Sequence, residues 1–284
     1  MGGESPPKQK ETMFKKLLLL LCIIFVSCDA KRYINLHCLI KPLHLEKRIN
    51  AVYISHPMIK YGHEKEISAN WSGYVLLRYL NEFTPESIRT VWGTWTIPLL
   101  QATEKDSFCS IWMGMDGYDS KTMEQIGTAH SYKNGKQENF VWFQLYPDTP
   151  YEILDFPIEV GDSISGSIVT ARMNGFDMRI FNNTKKCYTK VPMDCTQSFN
   201  AKRSSAQWVV EPLTINSHPQ PLANFGTIKF TECTATVGGY YGSINENSMG
   251  YHSIAMLTNR SLLNNMPSVL SDDGKSFSIQ WKKE

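Results

Sequence analysis

The sequence has little of what a helical or a membrane-spanning protein needs. Only the stretch Pro85 to Arg89 suggests a helical turn, and the 284 residues contain no internal repeat or low-complexity tract. The longest apolar run, from Leu17 to Val26, has about ten residues, whereas a helix that crosses a bilayer needs roughly 20. We therefore expect no stable membrane span and a fold built from strands.

The motifs of the commoner hydrolases are also missing. The chain has no Gly-x-Ser-x-Gly elbow, no His-Glu-x-x-His pair and no Asp-Thr-Gly or Asp-Ser-Gly, which argues against serine hydrolases, zinc peptidases and aspartic peptidases. No Cys-x-x-Cys spacing of a zinc site occurs either, so we expect neither a metal nor another cofactor. A glycosidase is disfavoured because the carboxylates Glu152, Asp155 and Glu159 do not alternate onto one strand face.

The short apolar run has the features of a secretion signal. Lys15 and Lys16 precede Leu17–Val26, and small or polar residues follow it. A signal peptide needs an apolar region of roughly 7–15 residues, which this run satisfies. We predict that residues 1–30 are a signal peptide with an N-terminal extension and that the protein is secreted; a lipid anchor at Cys28 is the alternative.

Export changes the interpretation of the seven cysteines. In an oxidising compartment disulfides are expected, and Cys187 and Cys195 bracket a short polar segment of the kind that a local disulfide closes. We predict that these two are paired. Cys109 and Cys233 lie in strand-like sequence and fit buried thiols equally well.

The net charge of +2 hides an asymmetry along the chain. Up to Lys65 there are eleven Lys and Arg against five Asp and Glu, and from Glu66 onward there are eighteen against twenty-two. A negative domain argues against binding to nucleic acid, which requires clustered Lys and Arg. The basic residues 31–65, with four histidines, are predicted to be a pro-segment or, alternatively, a linker of the mature domain.

The rest of the chain, residues 66–284, has the pattern of a single all-β domain. Short runs rich in Val, Ile, Thr and aromatic residues alternate with Gly, Pro, Asn and Asp, which predicts an antiparallel two-sheet β-sandwich or a barrel. The predicted strands are Thr90–Ile97, Phe108–Met113, Phe140–Tyr146, Ser163–Thr170, Gln207–Val210, Gly226–Thr231 and Ser276–Trp281. We expect this domain to be a monomer.

A series of phrases between about residues 68 and 235 resembles the glutamic peptidase (eqolisin) family. In the family's order, the phrases are Ser68–Tyr74, Trp92–Pro98, Ser110–Gly117, Glu124–Thr128, Val141–Asp148, Ser205–Glu211 and Ala223–Phe230. The resemblance implies a concanavalin-like or jelly-roll-like sandwich that hydrolyses polypeptide substrates in acid. A secreted β-sandwich that only binds, as a lectin or an inactive peptidase homologue would, is the alternative.

The resemblance assigns catalytic roles to Gln125 and Glu211. A carboxylate can take a proton from water while a neutral amide donates a hydrogen bond to the developing oxyanion, so this pair can cleave a peptide bond without a metal. By the same resemblance, five residues contact substrate or support the cleft. They are Trp71, Trp112, Asp116, Trp142 and Gln144.

The chain departs from the family pattern at Gln144 and Gln207, where glutamates are usual. Both changes remove a negative charge. We expect Gln144 to lie nearer to Glu211 than Gln207 does, and its neutrality to lower the pKa of Glu211 relative to relatives that carry both acids.

Overall fold

The apolar alternation produces strands throughout the part of the chain that can be described. The computed structural model describes residues 34–36, 39–42, 59–61, 65–77, 88–103, 105–171, 175–194, 201–215, 218–246, 250–257 and 263–282. These residues contain strands and no helix, and they belong to one compact unit, Ile34–Glu284. The predicted signal peptide and the alternative anchor at Cys28 lie outside them. Ile88 and Arg89, predicted in a helical turn, instead begin a strand.

Twenty-one strands are present among the described residues. In chain order they are β1 Ile34–Asn35, β2 Leu39–Pro42, β3 Ile59–Tyr61, β4 Lys65–Ser68, β5 Ser72–Leu77, β6 Ile88–Thr96, β7 Ser107–Asp116, β8 Met123–Lys133, β9 Lys136–Tyr146, β10 Tyr151–Leu154, β11 Ser163–Thr170, β12 Gly175–Asn182, β13 Cys187–Asp194, β14 Ser205–Glu211, β15 Thr214–Ile215, β16 His218–Pro219, β17 Thr227–Val237, β18 Tyr240–Ser243, β19 Gly250–Leu257, β20 Leu263–Pro267 and β21 Phe277–Trp281.

The strands form two layers. The front sheet has the order β2, β10, β9, β8, β7, β14, β5, β19, β4, β3. The back sheet has the order β1, β13, β12, β11, β6, β17, β18. Neighbours are antiparallel except for β1 with β13 and β4 with β19. The predicted all-β antiparallel fold is confirmed.

The two layers share one long strand. The first residues of β17, Thr227–Phe230, pair with β21, which continues through β20 to β19 of the front sheet. From Thr231 onward, β17 pairs with β6 of the back sheet. The bulge between Thr231 and Thr234 marks the point at which the strand passes from one layer to the other.

The space between the layers holds the main core, and glycines let the layers approach. A Cβ on Gly93 of β6 would lie 2.7 Å from the Trp208 ring, and one on Gly166 would lie 2.9 Å from the Met113 sulfur. The Trp208 indole donates a hydrogen bond of 2.8 Å to the Trp92 carbonyl across the layers. Its apolar body is thus buried while its polar atom is satisfied.

The opposite face of the front sheet carries a second apolar cluster. It consists of Trp71, Val75, Leu77, Trp112, Met123, Ala129, Trp142, Val209 and Ile254, with Tyr118, Phe140 and Tyr146 packed against it. Along β14 the side chains therefore alternate between the main core, at Trp208, and this outer cluster, at Val209. We call this outer side of the front sheet the cluster face.

Cys187 contradicts the predicted local disulfide. Its thiol is free and buried, and it begins β13, which continues fully extended to Asp194. At about 3.3 Å per residue, the two ends of such a strand are more than about 20 Å apart, far beyond the span of a disulfide. Cys195 itself lies outside the described residues. The predicted pairing is wrong because the segment pairs with β12 as a strand and does not form a loop.

Described parts of residues 31–65 pair with the domain. β1 lies beside β13, β3 beside β4, and β2 beside β10 in four residue pairs from Leu39↔Leu154 to Pro42↔Tyr151. Lys41 and Glu152 form an ion pair of 3.0 Å on these last two strands. The described parts of the predicted pro-segment or linker therefore add edge strands to both layers: β1 to the back sheet, and β2 and β3 to opposite edges of the front sheet.

Candidate active site

Strand register places three glutamines in one cross-strand row. Gln144 of β9 lies opposite Gln125 of β8, Gln125 opposite Gly114 of β7, and Gly114 opposite Gln207 of β14. Directly opposed residues project from the same face of a sheet. The row therefore lies on the cluster face, where Gly114 leaves room for its neighbours.

The amide of Gln125 is held by a two-step hydrogen-bond chain. Gln125 Nε2 donates to Gln144 Oε1 at 2.7 Å, and Gln144 Nε2 donates to the Asp148 carbonyl oxygen at 2.7 Å. Gln125 is 1% exposed and Gln144 is 2% exposed. Gln125 Oε1 has no hydrogen-bond partner among the described residues. One acceptor and the second N–H of this amide thus remain for a ligand.

Glu211 ends β14 on the same face but not in the same row. It lies opposite Ser110 of β7, two strands and four register positions from Gln125. With strands about 4.8 Å apart and about 3.3 Å per residue, the two Cα atoms are separated by about 16 Å on a flat sheet. No hydrogen bond among the described residues joins the two side chains, and Trp112 lies between them in the register.

The surroundings of Glu211 favour its neutral form. Burial raises the pKa of its carboxyl to about 8, and the indole N–H groups of Trp112 and Trp71 oppose this rise without cancelling it. The Trp112 contact is not a well-formed hydrogen bond, since that nitrogen has no partner of good geometry. Glu211 nevertheless keeps part of its surface accessible. It is therefore a desolvated carboxyl that a substrate can still reach.

Three tryptophans surround these groups. Trp71 and Trp112 pack edge to face with ring centroids 5.3 Å apart. Trp142 donates from its indole nitrogen to Ser110 Oγ at 3.1 Å. Trp112 fits because Gly127 lies opposite it, where a Cβ would come within 2.5 Å of the Trp112 Cβ. The tryptophans predicted for the cleft are thus brought together on the cluster face.

Asp116 ends β7 and contacts the residues that precede β14. Its side chain is fully buried and accepts hydrogen bonds from the backbone N–H groups of Arg203 and Ser204, both at 2.8 Å, and from the Ser204 hydroxyl at 3.1 Å. Burial raises its pKa, and these hydrogen bonds oppose the rise. Its geometry supports a positioning role at the start of β14 and gives no support to the predicted substrate contact.

The strand order corrects the expected positions of the two unusual glutamines. Gln144 is three strand spacings, or about 14 Å, from the strand of Glu211, and it also lies four register positions along the sheet. Gln207 shares β14 with Glu211 at about 13 Å. The prediction that Gln144 lies nearer to Glu211 is wrong, because β8 and β7 separate β9 from β14. A charge at either position would couple weakly to Glu211.

Comparison with known proteins agrees with the motifs. A family model described as the Peptidase A4 family matches residues 69–275. The chain belongs to this family. Its members are the glutamic peptidases that the phrases resemble, so the predicted class, a glutamic endopeptidase acting on polypeptides, is confirmed.

Individual relatives show how far the likeness extends. Aspergillopepsin-2 of Aspergillus niger is 28% identical over 196 residues, which are 62% of this chain and 67% of that protein. The fold is similar to scytalido-glutamic peptidase bound to a transition-state analogue, with a TM-score of 0.64, 20% identity and coverage of 76% of this chain and 99% of that one. The fold is also similar to aspergilloglutamic peptidase from Aspergillus niger, with a TM-score of 0.56, 22% identity and coverage of 62% of this chain and 99% of that one.

The peptidase also contains buried titratable groups that the motifs did not reveal. Tyr118 and His252 both contact the buried carboxyl of Glu66 on the cluster face. Glu124 is fully buried on the other face of β8, and neither of its carboxyl oxygens has a hydrogen-bond partner among the described residues. Burial, and then the neighbouring Asp116, raise the pKa of Glu124 well above its ordinary value. In the sequence, the only indication of a role for Glu124 was its position directly before Gln125.

Clusters of metal ligands and long apolar helices are both absent from the described part of the peptidase. No group of three His, Cys, Asp or Glu side chains there could hold a metal ion. Nor do the described residues include a helix with the length and hydropathy to cross a bilayer.

Proposed function

We propose that the chain is a secreted endopeptidase that hydrolyses peptide bonds with Glu211 as the base and Gln125 as the oxyanion donor. One observation carries this proposal. A partly accessible carboxyl with a raised pKa and an amide with an unused donor and acceptor project from the same face of one sheet. These are the two kinds of group that hydrolysis by activated water requires, and to act on one carbonyl their side chains must reach toward each other across the roughly 16 Å between their Cα atoms.

The chemical step follows from these two groups. Ionised Glu211 takes a proton from a water molecule as the water oxygen bonds to the scissile carbonyl carbon. The carbonyl oxygen becomes an oxyanion, which accepts a hydrogen bond from the second N–H of Gln125. Protonated Glu211 then gives the proton to the amide nitrogen, the C–N bond breaks, and a carboxyl and an amine are released. One carboxyl thus serves as base and then as acid.

The substrate is an extended polypeptide, and the aromatic side chains supply its contacts. Trp71 and Trp142, at 9% and 6% exposure, lie at the surface of the outer cluster, whereas Trp112 is fully buried beneath it. We assign apolar substrate contacts to Trp71 and Trp142. The Trp112 indole N–H lies near Glu211 and opposes the rise in its pKa without a well-formed hydrogen bond.

The electrostatics of Glu211 favour a higher working pH than the acid range expected from the sequence. A base with a pKa of about 8 is largely protonated at pH 4, so its contribution to kcat/KM rises toward neutral pH. The raised pKa predicts that kcat/KM increases as the pH rises from acid toward neutrality, and cleavage assays from pH 3 to 9 test this against the acid range expected from the sequence.

The test is cleavage of a denatured protein by the parent, Glu211→Gln and Gln125→Ala at pH 3 to 9. Removing an oxyanion donor typically lowers the rate by about 10²- to 10³-fold, and removing the only base should cost at least as much. Cleavage by Glu211→Gln at the parental rate would contradict the role of Glu211 as the base. A folded parent that binds the polypeptide without cutting it at any pH would favour the non-catalytic binding protein instead.

Secretion is tested separately by expression of the full chain in a secreting host. The apolar run Leu17–Val26 supports export with cleavage near residue 30. N-terminal sequencing of the medium fraction should find a start beyond this point. Retention of the uncleaved chain in the cells contradicts the signal peptide, and recovery in the lipid phase points to the anchor at Cys28.

A further inference from the structure

We propose that Gln144 is a positioning residue that holds the Gln125 amide in its donating orientation independently of pH. This inference rests on the proposed function of Gln125. An amide at position 144 makes both hydrogen bonds at any pH, whereas an introduced glutamate should support full kcat only in acid.

The orientation of both amides follows from the end of the hydrogen-bond chain. A backbone carbonyl oxygen can only accept, so the nitrogen of Gln144, and not its oxygen, must face Asp148. The Gln144 oxygen then faces Gln125, which must present its nitrogen. The Asp148 carbonyl thereby determines that the nitrogen of Gln125, and not its oxygen, faces Gln144, although Asp148 does not contact Gln125.

The anchor at Asp148 is itself held in place. The Asp148 N–H donates to the Leu145 carbonyl at 2.7 Å, which closes the turn that follows β9. Gln144 and Gln125 are almost completely buried, so water cannot replace either hydrogen bond without a rearrangement. The chain from turn to amide is therefore rigid as well as directional.

A carboxylate at position 144 could not make both of these hydrogen bonds. It has acceptors only, so it would face the Asp148 carbonyl oxygen without a hydrogen bond between them. A protonated carboxyl, by contrast, can donate to Asp148 and still accept from Gln125. An amide keeps both bonds at any pH, whereas a glutamate keeps them only in acid.

The far end of the row repeats this arrangement. Gln207 Nε2 donates to the backbone carbonyl of Asp116, so a second buried amide is anchored on an acceptor that cannot titrate. The titratable groups near this row are carboxyls and one histidine. They are Asp116 and Glu124, both with pKa values raised by burial, the exposed Asp148 side chain, and His252, which lies two strands beyond Gln207 in the same row and contacts Glu66; Glu211 lies farther away. None of them belongs to the hydrogen-bond chain from Asp148 to Gln125.

The experiment compares kcat and KM of the parent, Gln144→Glu and Gln144→Met from pH 3 to 9 on an internally quenched peptide. Gln144→Met keeps the shape and removes both bonds, so kcat should fall about 10- to 100-fold at every pH with little change in KM. Gln144→Glu should approach the parent in acid. Its kcat relative to the parent should then fall as the pH rises, because the introduced carboxyl ionises.

Gln137→Glu is the matched control. Gln137 lies on the same strand, and its Nε2 also donates to a backbone carbonyl, that of Pro98, at 2.8 Å. It is seven residues, about 23 Å, from Gln144. Its introduced charge should lower stability without a pH-dependent loss of kcat relative to the parent.

Three results would overturn the proposal. They are a parental kcat for Gln144→Met, a ratio of Gln144→Glu to parent that does not change with pH, or the same falling ratio for Gln137→Glu. If Gln144→Glu does not fold, the kcat of Gln144→Met still tests the proposal by itself. Failure of the proposed function looks different, because the parent would then cleave no peptide or Glu211→Gln would cleave as fast as the parent.

Discussion

Tyr118 donates a hydrogen bond of 2.5 Å to the buried carboxyl of Glu66. His252 Nδ1 lies 3.1 Å from the same oxygen, and the Tyr118 and His252 rings are 6.0 Å apart. Burial, and then Glu66, raise the pKa of Tyr118, so its phenol keeps the proton that it donates. These contacts tie the turn between β7 and β8, which leads to Gln125, to β4 and β19 at the far side of the front sheet.

Tyr118→Phe should lower the free energy of unfolding. The change removes the donor and keeps the ring, so a buried acceptor loses a partner at a cost of about 1–3 kcal/mol. The measurement is the urea midpoint at pH 7. Tyr240→Phe is the control, because Tyr240 is 72% exposed and should change stability by less than about 0.5 kcal/mol. Equal midpoints for the parent and Tyr118→Phe would contradict a structural role for this bond.

His130 should limit stability in acid. Its Nδ1 lies 2.8 Å from Asn139 Oδ1, which only accepts, so Nδ1 carries the hydrogen and Nε2 accepts from Thr128 at 3.0 Å. Burial lowers the pKa of His130 to about 4, against an ordinary value of 6.5. Between these values the unfolded chain binds more protons, so stability falls as the pH drops from 6.5 to 4.

His130→Gln should remove that slope, because an amide can keep a donor and an acceptor but does not titrate. The difference between the two slopes should amount to a free energy on the order of 3 kcal/mol between pH 6.5 and 4. Urea unfolding at four pH values in this range measures it. A slope that survives in His130→Gln would assign the acid sensitivity to other groups.

Glu211 should make the opposite contribution. Its folded pKa of about 8 exceeds the ordinary value of 4.5, so the folded state binds more protons and stability falls as the pH rises from 4.5 to 8. Glu211→Gln should therefore be more stable than the parent above pH 8, by a free energy on the order of 5 kcal/mol, and most similar to it below pH 4.5. Thermal unfolding across this range provides the test, and a variant less stable than the parent at pH 8 would refute it.

Asp116→Asn should separate positioning from substrate binding. An amide keeps one acceptor and turns an N–H toward Arg203 or Ser204, so a free energy of unfolding lower by about 1–3 kcal/mol is expected. KM should change little, because the parent side chain is fully buried. A higher KM with unchanged stability would restore the substrate contact that the sequence suggested.

The N-terminal segment should restrain the peptidase at neutral pH. Residues 31–65 are rich in Lys and Arg whereas residues 66–284 have a net negative charge, and on the described strands β2 and β10 Lys41 forms an ion pair with Glu152. Acid protonates carboxylates and weakens this attraction. A form that begins at Glu66 should therefore exceed the full chain in activity at pH 7 more than at pH 3. Equal activities of both forms from pH 3 to 7 would make residues 31–65 a linker.

The sequence by itself determined where the strands and the reactive groups lie along the chain. Ser163–Thr170 was predicted with its observed bounds, and β14 extends the predicted Gln207–Val210 at both ends, because strand propensity and alternation are properties of neighbouring residues. The phrases around Gln125 and Glu211 likewise identified the family that the comparisons confirm.

Only the tertiary structure decided how those strands are ordered and how that order sets the distances between groups and the pKa of Glu211. Local sequence does not encode that β8 and β7 separate Gln144 from Glu211, or that residues after Cys187 continue as a strand beside β12, since both depend on pairing between distant segments. The pKa of Glu211 is likewise set by burial, which exists only when the sheets have assembled, and burial raises it without the glutamates that are usual at positions 144 and 207.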